Sequence, residues 1–218
     1  MEEPLMSAPE HVRQHEVTSR LHALDVTEEQ LRDVVTVGVD ARSRCTAFHP
    51  PSAPGFYQWS EIVVALRQTL VPLKWEPLDV GGFSTIVRPD GLIAIAVATG
   101  SDRTGKPGLP APVTKYPRGA MTHAAVRINQ QTALDLETGA VVLPASETAS
   151  RITWWLLVCA RHDEVRMELS CPRNIGEDGR IDAWSERILL SPLAVEITDG
   201  PPGDDDDMQP IDVPVERR

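Results

Sequence analysis

Long apolar runs are missing from this sequence. Its most apolar stretches, such as residues 154–160, are far shorter than the roughly 18–20 residues of a membrane-spanning helix. Residues 1–16 carry acids and histidines where a secretory signal would have a basic start followed by an apolar core. We therefore expect a cytoplasmic protein that does not insert into a membrane.

Cysteines are equally scarce. The three that occur, Cys45, Cys159 and Cys171, make neither an even disulfide set nor a C-x-x-C pair, so they predict reduced thiols and exclude a disulfide framework. The G-x-S-x-G elbow of many serine hydrolases is also missing. A Ser-His-Asp site assembled from distant residues stays open, and the sequence assigns no catalytic residue.

The acidity of the chain belongs mostly to its ends. The net charge is −11, of which residues 1–16 contribute −3 and residues 199–218 contribute −5. The run at 200–207 combines Gly, Pro and four consecutive aspartates, a composition without an apolar face. We predict a flexible N-terminal segment at 1–16, a globular domain at 17–198 and a disordered acidic tail at 199–218.

Three segments predict helices. Thr27 and Gln30 form a capping box before an apolar stripe, which predicts a helix over 27–36. Apolar residues at i, i+3, i+4, i+7 and i+11 from Trp59 predict a second over 59–70, after an irregular Pro-rich loop at 49–55. Residues 120–131 have the composition of a third.

Strand patterns are as clear. Two apolar runs, 83–87 and 92–98, flank a Pro-Asp-Gly turn and predict a β-hairpin whose second strand is central in its sheet. Residues 152–160 predict another buried strand. Alternation over 165–171 predicts a half-exposed strand with Arg166, Glu168 and Ser170 toward solvent, and 187–197 offers one more, interrupted by Pro192. We expect a single α+β domain, with a mainly antiparallel sheet and two or three packed helices.

The longest irregular segment, residues 99–119, is the predicted functional loop, because long loops in compact domains are often functional. Residues 100–106 match the phosphate-binding pattern G-x-x-x-x-G-K directly after an apolar strand. Pro107 stands where that pattern needs a hydroxyl, and no helix can follow. The loop nevertheless carries the one local basic cluster, and we predict ligand binding by Arg103, Lys106, Lys115 and Arg118.

Other clusters are weaker. His11, His15 and His22 would share one face of a helix, but a third zinc ligand at a known spacing is missing, so an exposed polar helix is the better interpretation. His162-Asp163-Glu164 is typical of a turn. A nuclease built on scattered carboxylates such as Glu61, Asp90 and Glu168 has no supporting motif. We expect no metal and no cofactor.

Two functions follow as hypotheses. The first is a soluble interaction protein, an accessory or regulatory factor that contacts a protein partner through the 99–119 loop and the acidic tail. The alternative is an enzyme or binding protein for a phosphate-containing ligand at the same loop. Such a ligand could be a nucleotide or a nucleic acid, although Tyr116 is the loop's one aromatic residue for base stacking. The oligomeric state stays open.

Overall fold

One sheet of eight strands, most of them paired antiparallel, organises the structure. The computed structural model describes residues 8–138, 151–161 and 163–195. Within these ranges the helices are α1 (Gln14–Ala23), α2 (Glu28–Ser43), α3 (Ala53–Leu70) and α4 (Ala120–Thr138). The strands are β1 (Glu10–His11), β2 (Glu76–Val80), β3 (Phe83–Val87), β4 (Ile93–Thr99), β5 (Ile152–Ala160), β6 (Glu164–Ile175), β7 (Ile181–Leu189) and β8 (Leu193–Ala194).

The strand order is β1-β7-β6-β5-β4-β3-β2, and β8 pairs with β6. The predicted hairpin is confirmed, since β3 and β4 pair antiparallel with Ile86 opposite Ile95. The predicted central position of β4 is also confirmed: it lies between β3 and β5, with β5 parallel to it. The α+β fold with a mostly antiparallel sheet is thus as predicted, but the described residues contain four α-helices rather than two or three.

The sheet has two covered faces, which explains why β5 is apolar at nearly every position. Its residues Trp154, Leu156 and Val158 belong to a core shared with α1, α2 and α3. The alternate residues Trp155 and Leu157 pack on the other face with Ala125 and Val126 of α4. Both faces of β5 are therefore buried in apolar cores.

The prediction that Arg166, Glu168 and Ser170 of β6 face solvent is wrong. All three are buried, and Glu168 and Ser170 are 0% exposed. The reason is the 99–119 loop, which lies over β6 and β7 beside α4. Gly105 packs on Arg166 and Met167, while Trp184 of β7 donates its indole N–H to the carbonyl of Pro112 at 2.7 Å.

Several boundaries differ from the sequence-based prediction. Helix α3 already begins at Ala53, because Pro54 falls in its first turn, where the missing amide has no partner to lose. Strand β2 was not predicted, and β7 begins at Ile181 rather than near 187. Residues 10–16, predicted as flexible, contain β1 and the start of α1. The predicted tail at 199–218 and residues 1–7 lie outside the described residues.

Close packing of α2 on α3 depends on Gly38. A Cβ atom at this position would lie 2.3 Å from Cγ1 of Ile62 and 2.7 Å from the backbone carbonyl oxygen of Gln58. Gly38→Ala is therefore expected to lower the free energy of unfolding by about 1–3 kcal/mol, measured by urea denaturation.

Gly55 provides the matched control for this substitution. It lies in α3, and a Cβ atom there would meet nothing within 4 Å. Gly55→Ala is expected to be neutral or to stabilise by less than about 1 kcal/mol. Equal effects of the two substitutions would contradict this account of the α2–α3 contact.

Candidate functional site

A buried ion pair fixes the 99–119 loop to the sheet. Arg187 of β7 donates from Nε and Nη2 to the two carboxylate oxygens of Glu168 in β6, at 3.0 and 2.7 Å. The two side chains are 1% and 0% exposed. A third partner, Glu10 of β1, accepts from Nη1 of Arg187 at 2.5 Å. Burial alone would lower the pKa of Arg187, but its bonds to Glu168 and Glu10 raise it above the ordinary value.

The same three side chains bind the backbone of the loop at the end of the G-x-x-x-x-G-K segment and just after it. The N–H of Gly105 donates to Oε2 of Glu168 at 2.8 Å, and the carbonyl of Lys106 accepts from Arg187 at 3.0 Å. The N–H of Gly108 donates to Glu10 at 2.9 Å. The amides of Gly105 and Gly108 thus face the chain's own carboxylates.

The predicted basic residues have different surroundings. Arg103 donates to the carbonyls of Pro107, Gly108 and Pro110, so its guanidinium braces the loop. The side chain of Lys106 is half-buried. The ammonium of Lys115 lies 5.7 Å from the ring centre of Tyr116. Arg103 and Lys106 belong to the segment that Glu168 fixes, whereas Arg118 lies two residues before α4.

Arg118 differs from the other three predicted basic residues in the surroundings of its guanidinium. Its backbone N–H donates to the carbonyl of Gly179 at 2.7 Å, which ties the start of α4 to the turn between β6 and β7. Its Nε and Nη2 atoms are buried, yet neither has a hydrogen-bond partner. Burial without a counter-charge lowers the pKa of Arg118 to about 10, so the side chain is still charged at neutral pH.

The two unpartnered atoms of Arg118 form a fork suited to a two-oxygen anion. Their N–H bonds lie in the guanidinium plane and point to the same edge of the group, and this is a bidentate geometry in which arginine binds carboxylate or phosphate. Elsewhere in the described residues the same two atoms bind both oxygens of a carboxylate. The pairs are Arg20 with Glu186, Arg88 with Asp90, and Arg187 with Glu168.

Arg118 lies in the wall between two cavities. The first is about 250 Å³ in volume, is half enclosed, and is lined mostly by apolar and small residues, among them Trp59, Gly81, Gly82, Phe83, Val97, Met121 and Trp155. The second, about 670 Å³, follows α4 and is lined by Ala120, His123, Ala124, Val126, Arg127, Gln130, Asn174 and Ile175. Neither lining contains Asp or Glu among the described residues.

The first cavity lies where β3 and β4 separate. The two strands pair only from Thr85 to Val87 of β3. Before this paired part, β3 connects to β2 through a turn at Gly81 and Gly82. Both glycines have positive φ, which favours glycine, and the turn lies against Met121 in the first turn of α4. The partial positive charge of a helix N-terminus therefore adds to that of Arg118 at this place.

The other predicted clusters are not assembled as sites in the described part of the chain. His11 belongs to β1 rather than α1, and its Nε2 lies 2.8 Å from Oε1 of Glu186. Asp90 is bound by Arg88, and Glu168 by Arg187. No group of three or more His, Cys, Asp or Glu residues with the geometry of a metal site occurs within the described ranges. His162 lies outside them.

Sequence reasoning missed Glu10 and Arg187, and it missed that Arg118 lacks a partner. The strand patterns gave no signal for the ion pair, because Glu168 lies on the polar side of an alternating strand and Arg187 follows Ser185 and Glu186. For Arg118 no sequence signal existed, because a missing partner is a property of the folded arrangement.

Known proteins offer no guide to this site. No protein family matches the sequence, and neither the curated proteins nor the solved structures contain a match. None of the helices in the described ranges has the length and apolar composition to cross a membrane. The function of the site has to be inferred from the chemistry of its residues.

Proposed function

We propose that this protein is an accessory binding protein that recognises an anionic group at Arg118 and binds it without turnover. The observation that carries the proposal is the buried fork of Arg118, whose Nε and Nη2 atoms have no partner. Buried N–H donors without hydrogen bonds are costly, so two of them on one half-buried side chain are uncommon where they have no use. A ligand with two oxygens would supply both missing bonds.

The surroundings of Arg118 favour an anion further. Neither adjoining cavity is lined by Asp or Glu in the described residues, and the first turn of α4 contributes its partial positive charge. Rotation of the guanidinium into either cavity would bring the fork to the ligand. The internal bonds of Gly105 and Arg103 support Arg118, rather than the G-x-x-x-x-G-K segment, as the contact point.

The proposal keeps elements of both sequence-based hypotheses. It retains an accessory role and one of the four predicted basic residues, and phosphate remains a candidate anion. It does not require the tail at 199–218, whose role as a contact segment stays a prediction.

Anion binding is tested by thermal unfolding at constant ionic strength with inorganic phosphate, acetate or phenylacetate. At least one anion is expected to stabilise the wild-type chain, by about 2.7 kcal/mol at a concentration 100 times its Kd. Arg118→Met should abolish this stabilisation because it removes the fork while retaining a long side chain.

Arg13→Met is the matched control, since Arg13 is an exposed arginine before α1, far along the chain from either cavity lining. It should respond to the anions as the wild type does. Equal stabilisation of the wild type and Arg118→Met by every anion would contradict the proposal.

A further inference from the structure

We infer that the anionic group is the terminal carboxylate of a polypeptide whose last side chain is apolar and whose preceding residues are acidic. This inference rests on the proposed function and names its ligand. The three parts of such a terminus, namely its carboxylate, its last side chain and the chain before it, correspond to three features that meet at Arg118.

The carboxylate corresponds to the fork. Three other arginines in the described ranges bind a carboxylate through the same Nε and Nη2 atoms, so the geometry that a terminal carboxylate would adopt on Arg118 already occurs in this fold. Capture of a terminal carboxylate beside a helix N-terminus is a recurring mode of peptide recognition.

The last side chain corresponds to the smaller cavity. With about 250 Å³ it lies below the usual size of a small-molecule site, roughly 300–1,000 Å³, and has the size for one large side chain, with apolar walls on one part of its surface and polar groups on the rest. Phe83 and Trp155, stacked with ring centres 5.8 Å apart, and Met121 provide apolar walls. A leucine or phenylalanine side chain would bury its surface there.

The preceding residues correspond to the larger cavity. It shares Arg118 and Ala120 with the smaller one and continues along α4 past His123 and Arg127. Its lining includes these basic groups and no acid among the described residues, so acidic ligand residues are favoured there. Carboxylate, side chain and backbone nitrogen all branch from one carbon atom, which matches two cavities that share Arg118 and Ala120 in their linings.

The test uses fluorescence anisotropy with the full chain and a labelled acidic hexapeptide that ends in leucine with a free carboxylate. Three unlabelled competitors measure the contributions of the terminal carboxylate and the last side chain. They are the same peptide amidated at its C-terminus, the same peptide ending in glycine, and the same peptide ending in phenylalanine. We expect amidation to weaken binding at least about tenfold and the glycine ending to weaken it by about tenfold or more. The phenylalanine ending should bind comparably to leucine.

Substitutions of Arg118 and Arg127 test whether peptide binding depends on the fork. Arg118→Met should abolish binding, and Arg118→Lys, which retains charge without the fork, should recover only a minor part of it. Arg127→Gln should weaken binding about two- to fivefold and reduce its salt dependence. Each variant is compared at a temperature where circular dichroism shows it folded, and Arg13→Met should bind as the wild type does.

The source of the carboxylate is decided by two further probes, phenylpropionate and phenyl phosphate. If either binds at Arg118 as tightly as the peptide does, or if the amidated peptide competes equally, the polypeptide terminus is refuted while anion binding at Arg118 stands. If neither peptide nor small anion binds in an Arg118-dependent manner, the proposed function fails as well. Tighter binding of the free-acid peptide than of both small probes supports the inference.

Discussion

Replacement of Arg187 by methionine is expected to lower the free energy of unfolding by about 3–5 kcal/mol, measured by urea denaturation. The substitution leaves the carboxylate of Glu168 without its partner at 0% exposure, and it also removes the donor to the carbonyl of Lys106. Glu10 loses its bond to the same guanidinium. Because these contacts fix the 99–119 loop to β6 and β7, the loop should also become sensitive to proteolysis.

The double variant Arg187→Met with Glu168→Leu distinguishes the cost of an unpaired carboxylate from the cost of altered packing. Removing both charges eliminates the uncompensated carboxylate, so the double variant is expected to be more stable than Arg187→Met alone. A loss of less than about 1 kcal/mol in Arg187→Met would contradict a buried ion pair as the anchor of the loop.

Replacement of Arg118 by methionine is expected to have the opposite sign. It should raise the stability of the unliganded protein by about 1–3 kcal/mol, since two buried donors that lack partners are removed and an apolar chain of similar length takes their place. Stabilisation combined with lost binding is the behaviour of a residue retained for a ligand rather than for the fold.

The pH dependence of this gain has a definite sign. The pKa of Arg118 is lowered to about 10 in the folded protein, below its ordinary value. At a pH between the folded and the unfolded pKa, the unfolded chain binds more protons than the folded protein does. The cost in folding free energy of burying the charged side chain is therefore fully present below about pH 10 and declines above it. The stability difference between Arg118→Met and the wild type should therefore shrink as the pH rises above 10. A variant less stable than the wild type would show that Arg118 serves the fold.

Much of the fold could be predicted because its signals are local. The capping box of Thr27 and Gln30 fixes the start of α2, and both of its predicted hydrogen bonds form. Apolar runs bounded by turn residues identify β3, β4 and β5. By contrast, β2 is exposed at every position and contains Pro77, so it has neither an apolar pattern nor a full set of amide donors.

The site could be predicted only in part, because it depends on contacts between distant segments. The 99–119 loop was identified from its length and its prolines, and Arg118 from its charge. The burial of Glu168 required knowledge of what covers β6, since an alternating pattern does not distinguish water from a covering loop. The missing partner of the Arg118 guanidinium is likewise a property of the folded arrangement, in which the Nε and Nη2 atoms are buried and no acceptor lies within hydrogen-bond distance.

The central claim, that Arg118 binds an anion through its fork, is tested most directly by NMR of the arginine Nε–H groups. The wild-type chain is titrated with the free-acid peptide and with phenylacetate, and the Nε–H resonances are assigned by single substitutions, including Arg118→Met and Arg13→Met. We predict a saturable shift of the Arg118 Nε–H resonance that follows the binding curve, with Arg13 unmoved. A resonance of Arg118 that stays unmoved throughout both titrations would contradict the claim.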